Sequence, residues 1–140
     1  MVIKLSEKDK TISRPLFKIY LSDNAEFNNP VELKGLFDTG ADISFIEHTL
    51  TASFNFSFVK RVDRIENADQ LLYVGYIKIP ELSDAVEKIE FSKRAIHNKS
   101  TIQDDPDFLL GRDFLKNCLL VFDGPGLQME VTKQIIQKDN

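Results

Sequence analysis

The sequence predicts an all-β domain with one short helix, and three observations lead there. Apolar residues come in short runs, the longest being about seven residues from Leu71 to Ile77 with Gly75 inside it. Turn-forming clusters such as Ser22-Asp23-Asn24, Asn28-Asn29-Pro30 and Asp123-Gly124-Pro125-Gly126 punctuate those runs. Ala52, Phe54, Phe56 and Phe58 alternate with smaller or polar residues, the period of a half-buried strand. Several short strands with a single helical stretch read as a sandwich or barrel.

Taken in order, residues 1–13 are polar and charged and read as an arm that could supply a first edge strand. Residues 14–136 read as the domain proper. Leu16 to Ser22 is a strand with Phe17, Ile19 and Leu21 on one face, and Val31 to Phe37 is the next. Ile43 to Ile46 is apolar again, and the Ala52–Phe58 alternation predicts a strand after it. Val62 to Ile79 reads as a hairpin whose polar tip is Glu66 to Gln70. Ile89 to Ile96 is a further strand, and Asn98 to Asp107 a polar loop. Phe108-Leu109-Leu110 runs into Gly111, after which Arg112 to Asn117 has room for one or two helical turns. Cys118 to Phe122 and Leu127 to Ile136 form a closing hairpin.

Composition narrows the function. A length of 140 residues suits one domain, and 42% apolar content is enough to bury a core. The net charge of −4 is shared evenly by the two halves of the chain, so no basic arm or face points to nucleic acid or an anionic membrane. Cys118 is the single cysteine, which excludes an internal disulfide framework and a cysteine-rich zinc site. His48 and His97 stand far apart without metal-ligand spacing, so no metal and no cofactor is expected. No G-x-S-x-G supports a serine hydrolase. The absence of a signal core or membrane-length apolar run gives a soluble, cytoplasmic protein as the expectation.

Two motifs carry chemistry. In Leu36-Phe37-Asp38-Thr39-Gly40-Ala41-Asp42-Ile43-Ser44, two apolar residues deliver Asp38 from a strand end into a tight turn. Thr39 brings a hydroxyl that can lock the turn, and Gly40 permits close backbone approach. A carboxylate between core and cleft is a general-base candidate; the plainer alternative is a surface turn closed by Asp38. The second motif is Phe108-Leu109-Leu110-Gly111-Arg112-Asp113-Phe114-Leu115. By itself it reads as a strand-to-helix junction with a solvated ion pair.

Together, a D-T-G-A-D-x-S block and a later apolar-apolar-G-R-[DN]-x-L block resemble the retropepsin-like aspartic proteases, with the likeness running from Leu16 to Val131. The resemblance implies a closed β-barrel or sandwich, a flap hairpin, and one short helix after Gly111-Arg112. It implies an aspartic endopeptidase in which two carboxyls share a proton across one water. Only one D-T-G is present, so the second Asp38 would come from another copy, making a homodimer with the site on its two-fold axis. By the same resemblance Asp38, Thr39 and Gly40 form the catalytic turn. Gly40, Ala41, Asp42 and the flap residues Asn67, Ala68 and Asp69 would contact an extended peptide substrate. Gly111 and Arg112 would support the turn from beneath, Arg112 pairing with Asp42. Ile43, Ile65, Leu71 and Leu72 would line apolar pockets. The alternative kept beside this is a non-catalytic module of the same fold that dimerises or binds peptides.

Overall fold

A computed structural model of the chain describes residues 1–62, 70–97 and 105–134. The fold is all-β. Its strands are β1 (Val2–Lys4), β2 (Glu7–Lys8), β3 (Thr11–Ile12), β4 (Phe17–Ser22), β5 (Val31–Phe37) and β6 (Ser44–Glu47). They continue with β7 (Ser57–Val62), β8 (Gln70–Lys78), β9 (Glu87–Arg94), β10 (Phe108–Leu110), β11 (Cys118–Asp123) and β12 (Gln128–Lys133). A single helical turn, α1, spans Arg112–Leu115.

Six strands close on themselves in the order β4-β5-β10-β6-β9-β8, with β8 returning to β4. The closure is made by one long strand. β8 pairs with β4 through Tyr76–Lys78, while its earlier residues Gln70–Val74 carry β7 as a flanking strand. The core follows the period of two. Phe17, Ile19 and Leu21 of β4 all point inward, as the alternation in the sequence requires. They meet Phe37, Ile46, Ile77, Phe91, Phe108 and Leu110 in one cluster. Aromatic contacts knit it, with Phe17 stacked on Phe37 at 4.3 Å and Phe91 edge-on to Phe108 at 5.4 Å.

The arrangement that positions the site is the insertion of β10. The chain leaves β5, turns, and comes back as β6, yet the two strands do not pair. β10 lies between them, parallel to β5 (Leu110 opposite Phe37) and antiparallel to β6 (Leu109 opposite Phe45). All three residues of β10 are buried, as expected of a strand covered on both sides.

Outside the barrel, β1, β12 and β11 make a three-stranded sheet in that order. The polar arm therefore does supply an edge strand, with Ile3 buried opposite Met129. Residues 7–12 form a separate short hairpin, β2 with β3.

Two local readings are corrected. The alternation from Ala52 to Phe58 is not one strand. His48–Ser53 is a 3-10 helix whose start is capped by the Glu47 side chain accepting from the Thr49 N–H. Phe54 and Phe56 then stack on each other at 4.7 Å, and Phe56 meets Phe91 edge-on at 4.7 Å. The period of two thus comes from ring packing in an extended lead-in, and ladder pairing begins only at Ser57. The first arm of the hairpin accordingly runs from Ser57 to Val62, opposite Gln70–Val74. Its tip, with Ile65, Asn67, Ala68 and Asp69, lies outside the described residues, as do 98–104 of the polar loop and 135–136 of the last strand.

Candidate active site

Asp38 is the first residue beyond β5. Its backbone is an extension of the β5–β10 ladder, since its N–H donates to the Leu110 carbonyl at 2.8 Å. The chain then tightens: the Ala41 N–H donates to the Asp38 carbonyl at 3.2 Å, and the Gly40 N–H to Asp38 Oδ1 at 2.9 Å. The lock on this turn is therefore the Gly40 amide. The Thr39 hydroxyl makes no hydrogen bond among the described residues, and Thr39 and Gly40 are exposed. Asp38 is half-buried, and its Oδ2 accepts no hydrogen bond among the described residues. One carboxylate oxygen is thus engaged by the turn and the other is left without a donor among the described residues.

The second motif holds the turn from below. Gly111 is buried, and a side chain there would collide with the Ile43 carbonyl and come within 2.8 Å of the Ala41 oxygen. Only glycine permits this approach. The Arg112 N–H donates to the Ala41 carbonyl at 2.8 Å, and its Nη1 donates to the Thr39 carbonyl at 2.9 Å. The expected pairing of Arg112 with Asp42 is thus replaced by a bond to the turn's own backbone. A carbonyl at that distance suits a planar guanidinium that carries several donors. Asp42 is exposed.

Three residues not chosen as site residues from the sequence complete the support. Ser44 is fully buried; its hydroxyl donates to Asp113 Oδ1 at 2.8 Å and accepts from the Gly111 N–H at 3.1 Å. Asp113 Oδ2 also takes the Ser44 N–H at 3.2 Å, and Oδ1 takes the Phe114 N–H at 2.9 Å. Asp113 is therefore no solvated partner of Arg112 but a clamp between α1 and β6. The available signal was the serine three residues beyond the glycine-containing turn, paired with the aspartate after Arg112.

The third is Glu47, at the far end of β6 and 1% exposed. Its Oε2 takes the Thr49 N–H at 2.7 Å and the Thr49 hydroxyl. Its Oε1 takes the N–H groups of Ile96 at 2.9 Å and His97 at 3.1 Å. Burial raises its carboxyl, but the Thr49, His97 and Ile96 donors outweigh that and hold it down at about 2. The signal here was an acid closing an apolar run ahead of a His-Thr pair.

On the outer face of β5, β10 and β6 a small apolar cluster stands apart from the barrel core. Ala41, Phe45 and Leu109 are its buried members, flanked by Leu36, Ile43 and Ile96. It gives the turn an apolar wall, to which, among the described residues chosen from the sequence, Ile43 and Ala41 contribute. Leu72 is buried and Leu71 exposed, both on β8.

The histidines stand outside this arrangement. His97 Nε2 lies 2.9 Å from Asp107 Oδ1, and His48 is exposed. Among the described residues no grouping of three His, Cys, Asp or Glu could hold a metal ion. Cys118 is partly buried against the core, and burial pushes its thiol up. No helix among the described residues is long and apolar enough to cross a membrane.

No protein-family model matches this chain, and no curated protein matches it. Among solved structures, the chain is similar to one of the foamy viral protease-reverse transcriptase in complex with an RNA/DNA hybrid. The two are 15% identical with a TM-score of 0.42, and the match covers 73% of this chain. It spans only 12% of the viral chain.

Proposed function

We propose that the chain is a retropepsin-like aspartic endopeptidase that works as a homodimer. The observation that carries the reading is the Asp38 turn itself: a carboxylate with one oxygen fixed by the Gly40 amide and the other unengaged among the described residues. The turn is rigid because Gly111, Arg112, Ser44 and Asp113 brace it.

One such carboxylate is half of the required pair. With a second Asp38 across a two-fold axis, the ionised carboxylate takes a proton from a bound water. The water oxygen attacks the peptide carbonyl carbon, and the other, protonated carboxyl gives its proton to the carbonyl oxygen. Collapse of the resulting diol breaks the C–N bond, and the amine leaves with a proton from the pair. Thr39, whose hydroxyl has no partner among the described residues, would bond across the axis. The flap residues Asn67, Ala68 and Asp69 would close over the peptide, with Gly40, Ala41 and Asp42 beneath it.

A surface suited to the second copy supports the dimer. Among the described residues β11 is an edge of the outer sheet, and Cys118 to Phe122 carry no charge. Leu119, Val121 and Phe122 on it are 49%, 48% and 62% exposed. The edge strand of the barrel sheet, β7, is by contrast guarded by Lys60, Arg61 and a bulge between Phe58 and Lys60, devices that discourage pairing. Pairing of β11 with its copy about Leu120 would set Leu119 against the partner's Val121 and create a local two-fold axis. This edge begins six residues after Arg112, which touches the turn.

The test is cleavage of a mixed peptide library by wild type, Asp38→Asn and Val121→Lys, with sedimentation of each. Wild type should cleave and sediment as a dimer; Asp38→Asn should remain a dimer and cleave nothing; Val121→Lys should be monomeric and inactive. Cleavage that survives Asp38→Asn would refute the mechanism. Dimers that bind peptides without cutting them would establish the binding module instead.

A further inference from the structure

β9 ends in two cations, Lys93 and Arg94, after the buried pair Phe91 and Ser92. Successive strand residues face opposite ways, so the two serve different surfaces. Lys93 Nζ lies over the Tyr73 ring at 4.2 Å. The Arg94 guanidinium lies over the Phe45 ring at 5.2 Å, and Phe45 is a buried member of the apolar cluster that includes Ala41 of the catalytic turn. Arg94 is exposed and makes no ion pair or hydrogen bond to a carboxylate among the described residues. The carboxylate aligned with it by register is Glu47, whose two oxygens are already taken by Thr49, Ile96 and His97. A net-acidic chain has therefore set a guanidinium with no carboxylate partner among the described residues at the rim of its apolar wall.

We infer that Arg94 is a specificity residue that selects substrates with an acidic side chain two positions from an apolar one. This rests on Asp38 being the reacting carboxylate. An extended peptide places side chains of the same face about 6.6 Å apart, two residues on. The Arg94 guanidinium stands 5.2 Å from the ring centroid of Phe45, a member of the apolar cluster, a separation of the same order, so the residue two along from one seated on the cluster comes within its reach. An apolar side chain seated on Leu36, Ile43 and Leu109 would then bring an Asp or Glu carboxylate to the fork of Arg94. A guanidinium already resting over an aromatic ring is preorganised for such a carboxylate.

The experiment uses peptides that differ only in carrying Glu or Gln, placed in turn at each position two residues from the apolar side chain. Wild type should prefer Glu by about three- to fivefold in kcat/KM, the size of an exposed ion pair, with the difference in KM. The preference should fade in about 0.5 M salt. Arg94→Gln should remove it, Arg94→Lys should retain part of it, and Arg94→Glu should favour Lys at the same position. Equal rates for Glu and Gln in both placements, or an unchanged preference in Arg94→Gln, would overturn the proposal. If wild type cleaves neither peptide, the reading of Asp38 has failed. Fluorescence anisotropy of the same peptides on wild type and Arg94→Gln then decides Arg94 alone. Tighter binding of Glu that is lost in Arg94→Gln upholds it, and equal binding ends it.

Discussion

Two carboxylates stand nine residues apart at the ends of neighbouring elements, and they are treated in opposite ways. Glu47 is sealed in and each of its oxygens accepts two donors. Asp38 is half-buried with one donor, on Oδ1 alone. Both are pinned through backbone at the two ends of β10, since the Glu47 N–H donates to Asp107 just before β10 and the Asp38 N–H to Leu110 at its end. The lesson concerns saturation. A carboxylate whose lone pairs are all filled is a structural post; one held rigidly and left unfilled has capacity for a ligand or a proton.

The sharpest way to break the comparison is to neutralise each acid in turn. On the proposed reading Asp38→Asn should lower cleavage by at least about 10³-fold, since a general base would be lost. It should change stability by less than about 0.5 kcal/mol, because an amide oxygen can still receive the Gly40 N–H. Peptide turnover and urea unfolding measured on the same sample check both halves. A variant that unfolds would make Asp38 a structural post as well.

Glu47→Ala should do the reverse. It leaves the part-buried N–H groups of Thr49, Ile96 and His97 without their acceptor, and an orphaned donor costs up to about 1–3 kcal/mol where water cannot reach it. A total loss of about 3–5 kcal/mol in urea unfolding is expected, with residual activity tracking the folded fraction. A loss below about 1 kcal/mol would show that water replaces the carboxylate freely.

The same contrast has a pH signature. The carboxyl of Glu47 is held at about 2 against an ordinary value of 4.5. A group depressed in the folded state stabilises it fully above its unfolded value, and that stability is lost as pH falls through the folded one. Roughly 3 kcal/mol should therefore drain away between about pH 4.5 and 2, and Glu47→Gln should lack this component. The fold should stay intact through mildly acidic solution, where a pair of close carboxyls holds its single shared proton. Urea midpoints across that range, in wild type and Glu47→Gln, test it.

How much of this was legible in the sequence follows the range of the interactions. The inward face of β4, the strands flanking Asp38, and the single turn after Gly111 are local, governed by periods of two and by a glycine, and they read directly. The insertion of β10 between β5 and β6 was not legible, because it joins residues about seventy apart and leaves no mark in either segment. The Ala52–Phe58 stripe misled because ring stacking and ladder pairing both produce alternation. Asp38 announced itself through its turn residues. Ser44, Asp113 and Glu47 did not, since a buried acceptor is defined by donors brought to it from elsewhere in the chain.

The smallest effect should come from the brace between the two motifs, and it tests whether the unfilled acid needs a rigid base. Ser44→Ala removes a hydroxyl that receives the Gly111 N–H and donates to Asp113. One buried amide is orphaned while the Ser44 N–H bond to Asp113 is kept, so the loss should be about 1–2 kcal/mol. The Gly111 amide adjoins Arg112, whose backbone and side chain both hold the Asp38 turn. Slackening it should lower kcat by about tenfold with KM little changed, since a reacting group displaced by a fraction of an ångström loses alignment more than affinity. Ser44→Thr keeps the hydroxyl and should restore kcat even where its extra methyl leaves stability below wild type. If kcat falls with stability in both variants, the brace serves the fold alone, and the rigidity of the Asp38 turn arises from its own Gly40 bond.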